Sequence, residues 1–120
     1  IGSFTFEPIF YDLDKADIRP DATVALDKVV DFMNKNPKLT IELGSHTDSR
    51  SSDSYNDGLS QRRAQSAVQY IVSKGVSQNR ITAKGYGETK LVNHCSDGVK
   101  CNDDLHQQNR RTEIKITGYN

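Results

Sequence analysis

The sequence carries no excess of charge of either sign: across 120 residues, Lys+Arg and Asp+Glu each total 16. A domain that grips nucleic acid usually shows a basic excess, so that class of partner is disfavoured. There is no apolar run long enough to cross a bilayer and no signal-peptide pattern at Ile1. The chain therefore reads as a soluble domain or an excised fragment, and its start at Ile1 and not at Met favours a fragment. No internal repeat is visible, and no low-complexity tract beyond the SRSSDS stretch at 49–54. Two chemistries are also missing their signatures. No glycine-flanked serine elbow occurs, and His46 with Asp48 is only a lone His-x-Asp, so hydrolysis has little support. Asp53, Asp57 and Gly58 fail as a calcium loop, because Tyr55 takes a ligand position and Ala64 stands where the twelfth-position glutamate belongs.

What is present is the composition of one globular domain, spanning 1–120. Hydrophobic residues make up 34% and charged residues 27%, on the polar side of the globular range. A chain of this length buries about two-thirds of its unfolded surface, enough for one core.

The periodicities order the chain. Pro8 interrupts the Phe/Ile/Tyr-rich start, so a strand is expected after it, near Ile9–Asp12, at a sheet edge. Pro20 and Asp21 suit a helix entry. Ala22, Ala25, Leu26, Val29 and Met33 then recur at helical spacing as far as Lys35, and Asn36-Pro37 ends that helix. Leu39, Ile41 and Leu43 alternate with Thr40 and Glu42, the pattern of a half-buried strand. A second helix is expected from Ser54, with Ser54 and Asp57 as an acidic capping box and Gly75 at its C-terminal end. Its buried stripe is Ala64, Ala67, Val68, Ile71 and Val72, with Arg63 at the border and Arg62 facing away. A third strand is expected over Arg80–Gly87. A loop of about 20 residues then holds both cysteines, and a last strand covers Arg111–Thr117 with Ile114 and Ile116 on one face. The expected fold is α/β, an α+β sandwich of order βαβαββ with helices packed on a mixed four-stranded sheet.

The stretch from Gly44 to Ala64 joins the central strand to the second helix through a polar loop, the kind of place where binding residues sit. Asp48 follows the strand, and Arg63 lies in the helix. A fixed carboxylate and a fixed guanidinium across a short gap suit a zwitterion, the amine on the aspartate and the carboxylate on the arginine fork. That requires each charge to lack an internal partner until the ligand arrives. Without further information the two are as readily a structural ion pair or two solvated charges.

The segments HTD at 46–48, YNDGLSQRRA at 55–64, RITAKGYGE at 80–88 and NRRTEI at 109–114 resemble the C-terminal, OmpA-like domain of outer-membrane proteins. That family includes peptidoglycan-associated lipoproteins and flagellar stator proteins. The likeness runs from about Ile9 to Ile116. It implies a βαβαββ domain that binds peptidoglycan non-covalently in the periplasm, with the diaminopimelate of the stem peptide as ligand. Matched by motif, it implies Asp48 and Arg63 as the ligand's charge partners, Asn56 lining the pocket and Thr47 as a lesser contact. It implies no enzyme activity, no cofactor and no metal, and membrane association only through an upstream segment. The chain departs from the family pattern in the glycine-free loop after Asp48 and in a cysteine-bearing insert.

Cys95 and Cys101 flank SDGVK, which contains a turn-forming Asp97-Gly98. A loop-closing disulfide suits an oxidising compartment. A metal site from His94, Cys95, Cys101 and His106 matches no zinc spacing, and two reduced thiols are the third case. Asn109-Arg110-Arg111 is expected to support the fold, with one arginine partly paired. The expected function is cell-wall anchoring. The rivals are an interaction module of the same fold without ligand, and a cell-wall hydrolase. Asp48→Ala and Arg63→Ala are expected to remove binding without unfolding, with Arg62→Ala as a neutral control. Reducing the disulfide is expected to leave binding largely intact, because the insert lies far along the chain from Asp48.

Overall fold

The computed structural model describes residues 6–119, so residues 1–5 and 120 of the expected 1–120 domain fall outside the description. In chain order the elements are β1 (Ile9–Phe10), α1 (Pro20–Lys35), β2 (Leu39–Ser45), α2 (Asp53–Ser73), a 3-10 turn (Gln78–Arg80), β3 (Ile81–Gly85), α3 (Asp103–Gln107) and β4 (Arg111–Tyr119). They form a four-stranded sheet in the order β1-β4-β2-β3. β2 and β3 run parallel, while β4 is antiparallel to both β1 and β2. The mixed sheet and the βαβαββ order agree with the expectation, and β1 lies at an edge as Pro8 implied.

The core forms where the two periodicities meet. From α1 it takes Ala22, Leu26, Val29, Val30 and Met33, and from α2 Ala67, Val68 and Ile71. These pack on Leu39, Ile41 and Leu43 of β2, with Ile81 of β3 and Ile114 of β4 beside them. Arg80 closes the end of α1. Its guanidinium donates to the carbonyls of Met33 (3.0 Å) and Asn36 (2.8 Å) at the helix end and of Leu39 (3.0 Å) at the start of β2, placing a positive charge at the C-terminus of the helix.

Several boundaries differ from expectation: β1 stops at Phe10 and not Asp12, and β4 runs on past Thr117 to Tyr119. The cap of α2 is Ser52, whose Oγ accepts from the Tyr55 amide at 3.2 Å, so the helix begins at Asp53 and the Ser54–Asp57 box is not used. The third strand is shorter than Arg80–Gly87, because the backbone makes a 3-10 turn through Arg80 and leaves the ladder after Gly85. The long loop contains α3, capped by Asn102 Oδ1 on the Leu105 amide at 3.0 Å. At five residues α3 spans less than two turns and leaves no periodic trace.

Candidate functional site

The register of one antiparallel pair builds the site. Ser45, the last residue of β2, lies opposite Thr112, near the start of β4. Residues following β2 and residues preceding β4 therefore meet at the same end of the sheet. On one side is the loop His46–Ser51; on the other is Arg110. The α2 helix passes behind the loop and contributes Asn56, Leu59 and Arg63. Thr47, Asp48, Asn56, Arg63 and Arg110, with Leu13, Asp14, Ser51 and Leu59, line one small cleft of about 10 Å³, room for about one water centre. All four residues expected at the ligand are thus brought together, and Arg110 joins them.

Asp48 is buried and already paired. Its Oδ2 accepts from Arg50 Nη2 at 2.8 Å and from Arg110 Nη1 at 3.1 Å, and its Oδ1 accepts from the Arg50 amide at 3.0 Å. Burial alone would raise the pKa of this carboxyl. The hydrogen bonds from Arg50, side chain and backbone, and from Arg110 outweigh it and hold the group below the ordinary carboxylate value. The two arginines differ in freedom. The Arg110 side chain is 3% exposed and anchored on Tyr11 O, Gln107 Oε1 and Asp103 Oδ1, whereas that of Arg50 is 36% exposed.

Arg63 is not at the border of the apolar stripe but is fully buried. Nε donates to Lys15 O at 2.8 Å, Nη1 to His46 O at 2.9 Å and Nη2 to Asp12 O at 3.1 Å. The guanidinium also sits 5.0 Å over the Tyr11 ring. Burial, assisted by the nearby Arg110 charge, pushes its pKa down to about 10, still charged at neutral pH. Among the described residues it forms no ion pair. The expectation that both charges wait without partners is therefore corrected. A charge removed from water this completely is stable only when satisfied from inside. Arg63 uses three of its five N–H groups and keeps two. It clamps two separate stretches of chain to α2, so the idea that Arg63→Ala leaves the fold untouched no longer holds.

Asn56 Nδ2 donates to Ser51 O at 3.1 Å and reaches Glu88 Oε1 at 3.5 Å, tying the loop to the helix. Thr47 Oγ1 is buried in the cleft wall without a hydrogen-bond partner among the described residues. Arg62 is exposed, as expected. Asn109-Arg110-Arg111 supports the fold more fully than expected. Asn109 Oδ1 holds the Val92 amide at 2.8 Å, and Arg111 is buried beside Glu113 and the Lys90 carbonyl. Sequence reasoning missed Arg110, Arg50 and Asp103. For Arg110 a signal existed. In an antiparallel pair, HTD at the exit of β2 and NRR at the entry of β4 must share one end of the sheet.

Cys95 and Cys101 are joined in a disulfide, so neither sulfur is available as a thiolate to the proposed His94/Cys95/Cys101/His106 metal set. The bridged loop is close to the site in space. Ser49 Oγ, one residue past Asp48, donates to the Cys95 carbonyl. Asp103, two residues past Cys101, lies 3.5 Å from Arg50 and 3.3 Å from Arg110. Separation along the chain was thus a poor guide to distance from Asp48.

The chain belongs to the OmpA family, whose sequence model matches residues 10–104. It is 40% identical over 118 residues to outer membrane protein A of Escherichia coli O157:H7, a match covering 92% of this chain and 34% of that protein. It is also 44% identical over 112 residues to the photosystem I P700 chlorophyll a apoprotein A2 of Gloeobacter violaceus, covering 92% of this chain and 13% of that protein. The chain thus spans well under two thirds of these curated relatives. Among solved structures, the peptidoglycan-associated lipoprotein from Burkholderia pseudomallei has the same fold, with a TM-score of 0.82 at 22% identity, covering 92% of this chain and 89% of that one. The family resemblance read from the four motifs and the OmpA-like fold are both established by these matches.

Proposed function

We propose that this domain binds peptidoglycan non-covalently in the periplasm, holding the diaminopimelate end of a stem peptide and so anchoring an outer-membrane-associated protein to the cell wall. The observation that carries the proposal is the convergence of opposite charges in one cleft: the Asp48 carboxylate, with Arg63 and Arg110 beside it. The ligand's amine pairs with Asp48. Its carboxylate takes the two N–H groups that Arg63 keeps in reserve and the hydroxyl of Thr47, which has no other partner among the described residues. Asn56 holds the loop in place for both contacts. Because the cleft has room for only about one water centre, at about 10 Å³, its walls must part as the ligand enters. The known peptidoglycan association named for the structural neighbour from Burkholderia pseudomallei fits this reading.

Lysine carries the amine but not the adjacent carboxylate, so the two N–H groups that Arg63 keeps would find no acceptor in its complex. A hydrogen bond to a charged group contributes about 1.5–3 kcal/mol. At 1.4 kcal/mol per decade, a preference of about tenfold or more for diaminopimelate over lysine is expected. Titration calorimetry with stem peptides ending in diaminopimelate, its amide or lysine tests this. Equal affinities for all three would refute the zwitterion clamp, and no binding of any peptide or of purified sacculi would refute the function.

A further inference from the structure

Asp48 is held by two arginines of unequal kind. Arg110 is part of the wall: its side chain is 3% exposed and has four fixed acceptors. Arg50 is part of the loop: its side chain is 36% exposed, and its Nη2 takes Asp48 Oδ2 at 2.8 Å. The same Nη2 also lies 3.5 Å from Oδ1 of Asp103, whose side chain is 67% exposed. Arg50 thus has a second carboxylate within reach if it leaves the first. Asp48, for its part, already accepts three hydrogen bonds and faces two positive charges.

A ligand ammonium arriving at Asp48 competes with Arg50 for lone pairs and for charge. It does not compete for space, since Arg50 is not among the residues lining the cleft. It cannot readily displace Arg110, whose other three acceptors hold it in place. We infer that Arg50 is a built-in competitor for the ligand's amine: it occupies the Asp48 carboxylate in the unliganded protein, moves across to Asp103 when the amine binds, and so sets both the affinity and the weight given to the amine. This rests on the ligand reading proposed above. A positioning role, in which Arg50 merely holds Asp48 in place, predicts the opposite sign when Arg50 is removed.

Half-exposed ion pairs contribute modestly. Removing this competitor should tighten amine binding by about fivefold, which at 1.4 kcal/mol per decade is about 1 kcal/mol. The experiment titrates the parent domain, Arg50→Ala and Arg50→Gln with two stem peptides. One ends in diaminopimelate; the other is identical except that hydrogen replaces the terminal amine. Thermal melting confirms that the variants are folded. The expected result is a gain of about fivefold for Arg50→Ala with the amine-bearing peptide and a smaller gain for Arg50→Gln. Neither variant should gain with the amine-free peptide, whether or not that peptide binds measurably. An unchanged or weakened affinity of Arg50→Ala for the amine-bearing peptide overturns the inference and leaves the ligand reading standing. So does an equal gain with both peptides, which would signify a general charge effect. Failure of the parent to bind the diaminopimelate peptide overturns both.

Discussion

Replacing Arg63 by alanine should destabilise the domain before it says anything about binding. The side chain spans three backbone carbonyls from two separate stretches of chain: Asp12 and Lys15 ahead of α1, and His46 at the exit of β2. Tyr11 adds a ring beneath the guanidinium and an O–H that donates to the Arg63 carbonyl at 3.1 Å. Truncation leaves the buried His46 carbonyl without this donor, at about 1–3 kcal/mol, and removes the two part-buried bonds to Asp12 and Lys15, at about 0.5–1.5 kcal/mol each. It also opens a gap beside Tyr11. Against this, the variant no longer holds a charge in a site that pushes the arginine pKa down to about 10, which returns part of the loss. The net expectation is a loss of about 3–5 kcal/mol, a large share of the roughly 5–15 kcal/mol that holds a domain folded. For a chain of this size the melting temperature should fall by roughly 10–20 °C. Urea unfolding followed by far-UV circular dichroism measures it, with Arg62→Ala as the control. Arg62 is exposed, and its removal should stay within about 0.5 kcal/mol of the parent. A loss below about 1 kcal/mol for Arg63→Ala would refute the account of Arg63 as a clamp. Binding assays on this variant should therefore be read against its folded fraction.

The disulfide should matter to binding as well as to stability. Reduction and alkylation of Cys95 and Cys101 should cost about 2–3 kcal/mol and weaken titrated affinity for the diaminopimelate peptide, because Ser49 is anchored on the Cys95 carbonyl; unchanged affinity would refute the coupling. Glu88, partly buried and crowded by Asp97 and Asp53, has its carboxyl pushed up to about 7 from an ordinary 4.5. The folded state therefore keeps a proton that the unfolded chain has released, and this group's contribution to stability falls as pH rises from about 4.5 to 7. Urea midpoints at acidic and neutral pH should show that decline in the parent and a flatter profile in Glu88→Gln; identical profiles would count against it. Gly85→Ala should cost about 1–3 kcal/mol or more, because the new Cβ would meet the Gln61 amide nitrogen and Ser60 Oγ at 2.5 Å, and α2 packs too closely on β3 to yield. A variant as stable as the parent would show that α2 shifts freely.

The one-dimensional pattern of the chain determined a good deal of this protein. The apolar spacing of α1, the alternation of β2 and the stripe of α2 are local properties, legible because each spans at least two periods. The positions of Thr47, Asp48, Asn56 and Arg63 were legible through the motifs that resemble the OmpA-like domain, not through periodicity. The tertiary structure decided how those residues are occupied. Arg63 and Asp48 have internal partners because burial of a charge demands them, and those partners come from Asp12, Lys15 and His46 for the one and from Arg50 and Arg110 for the other. Arg110 stands 62 positions from Asp48 and is brought to it by the antiparallel register of β2 with β4. Asp103 and the Cys95–Cys101 loop reach the site through α3, a helix too short to announce itself by periodicity. Hydrophobic periodicity is a property of neighbours in sequence, whereas the partner of a buried charge is chosen by which strand ends the fold sets side by side.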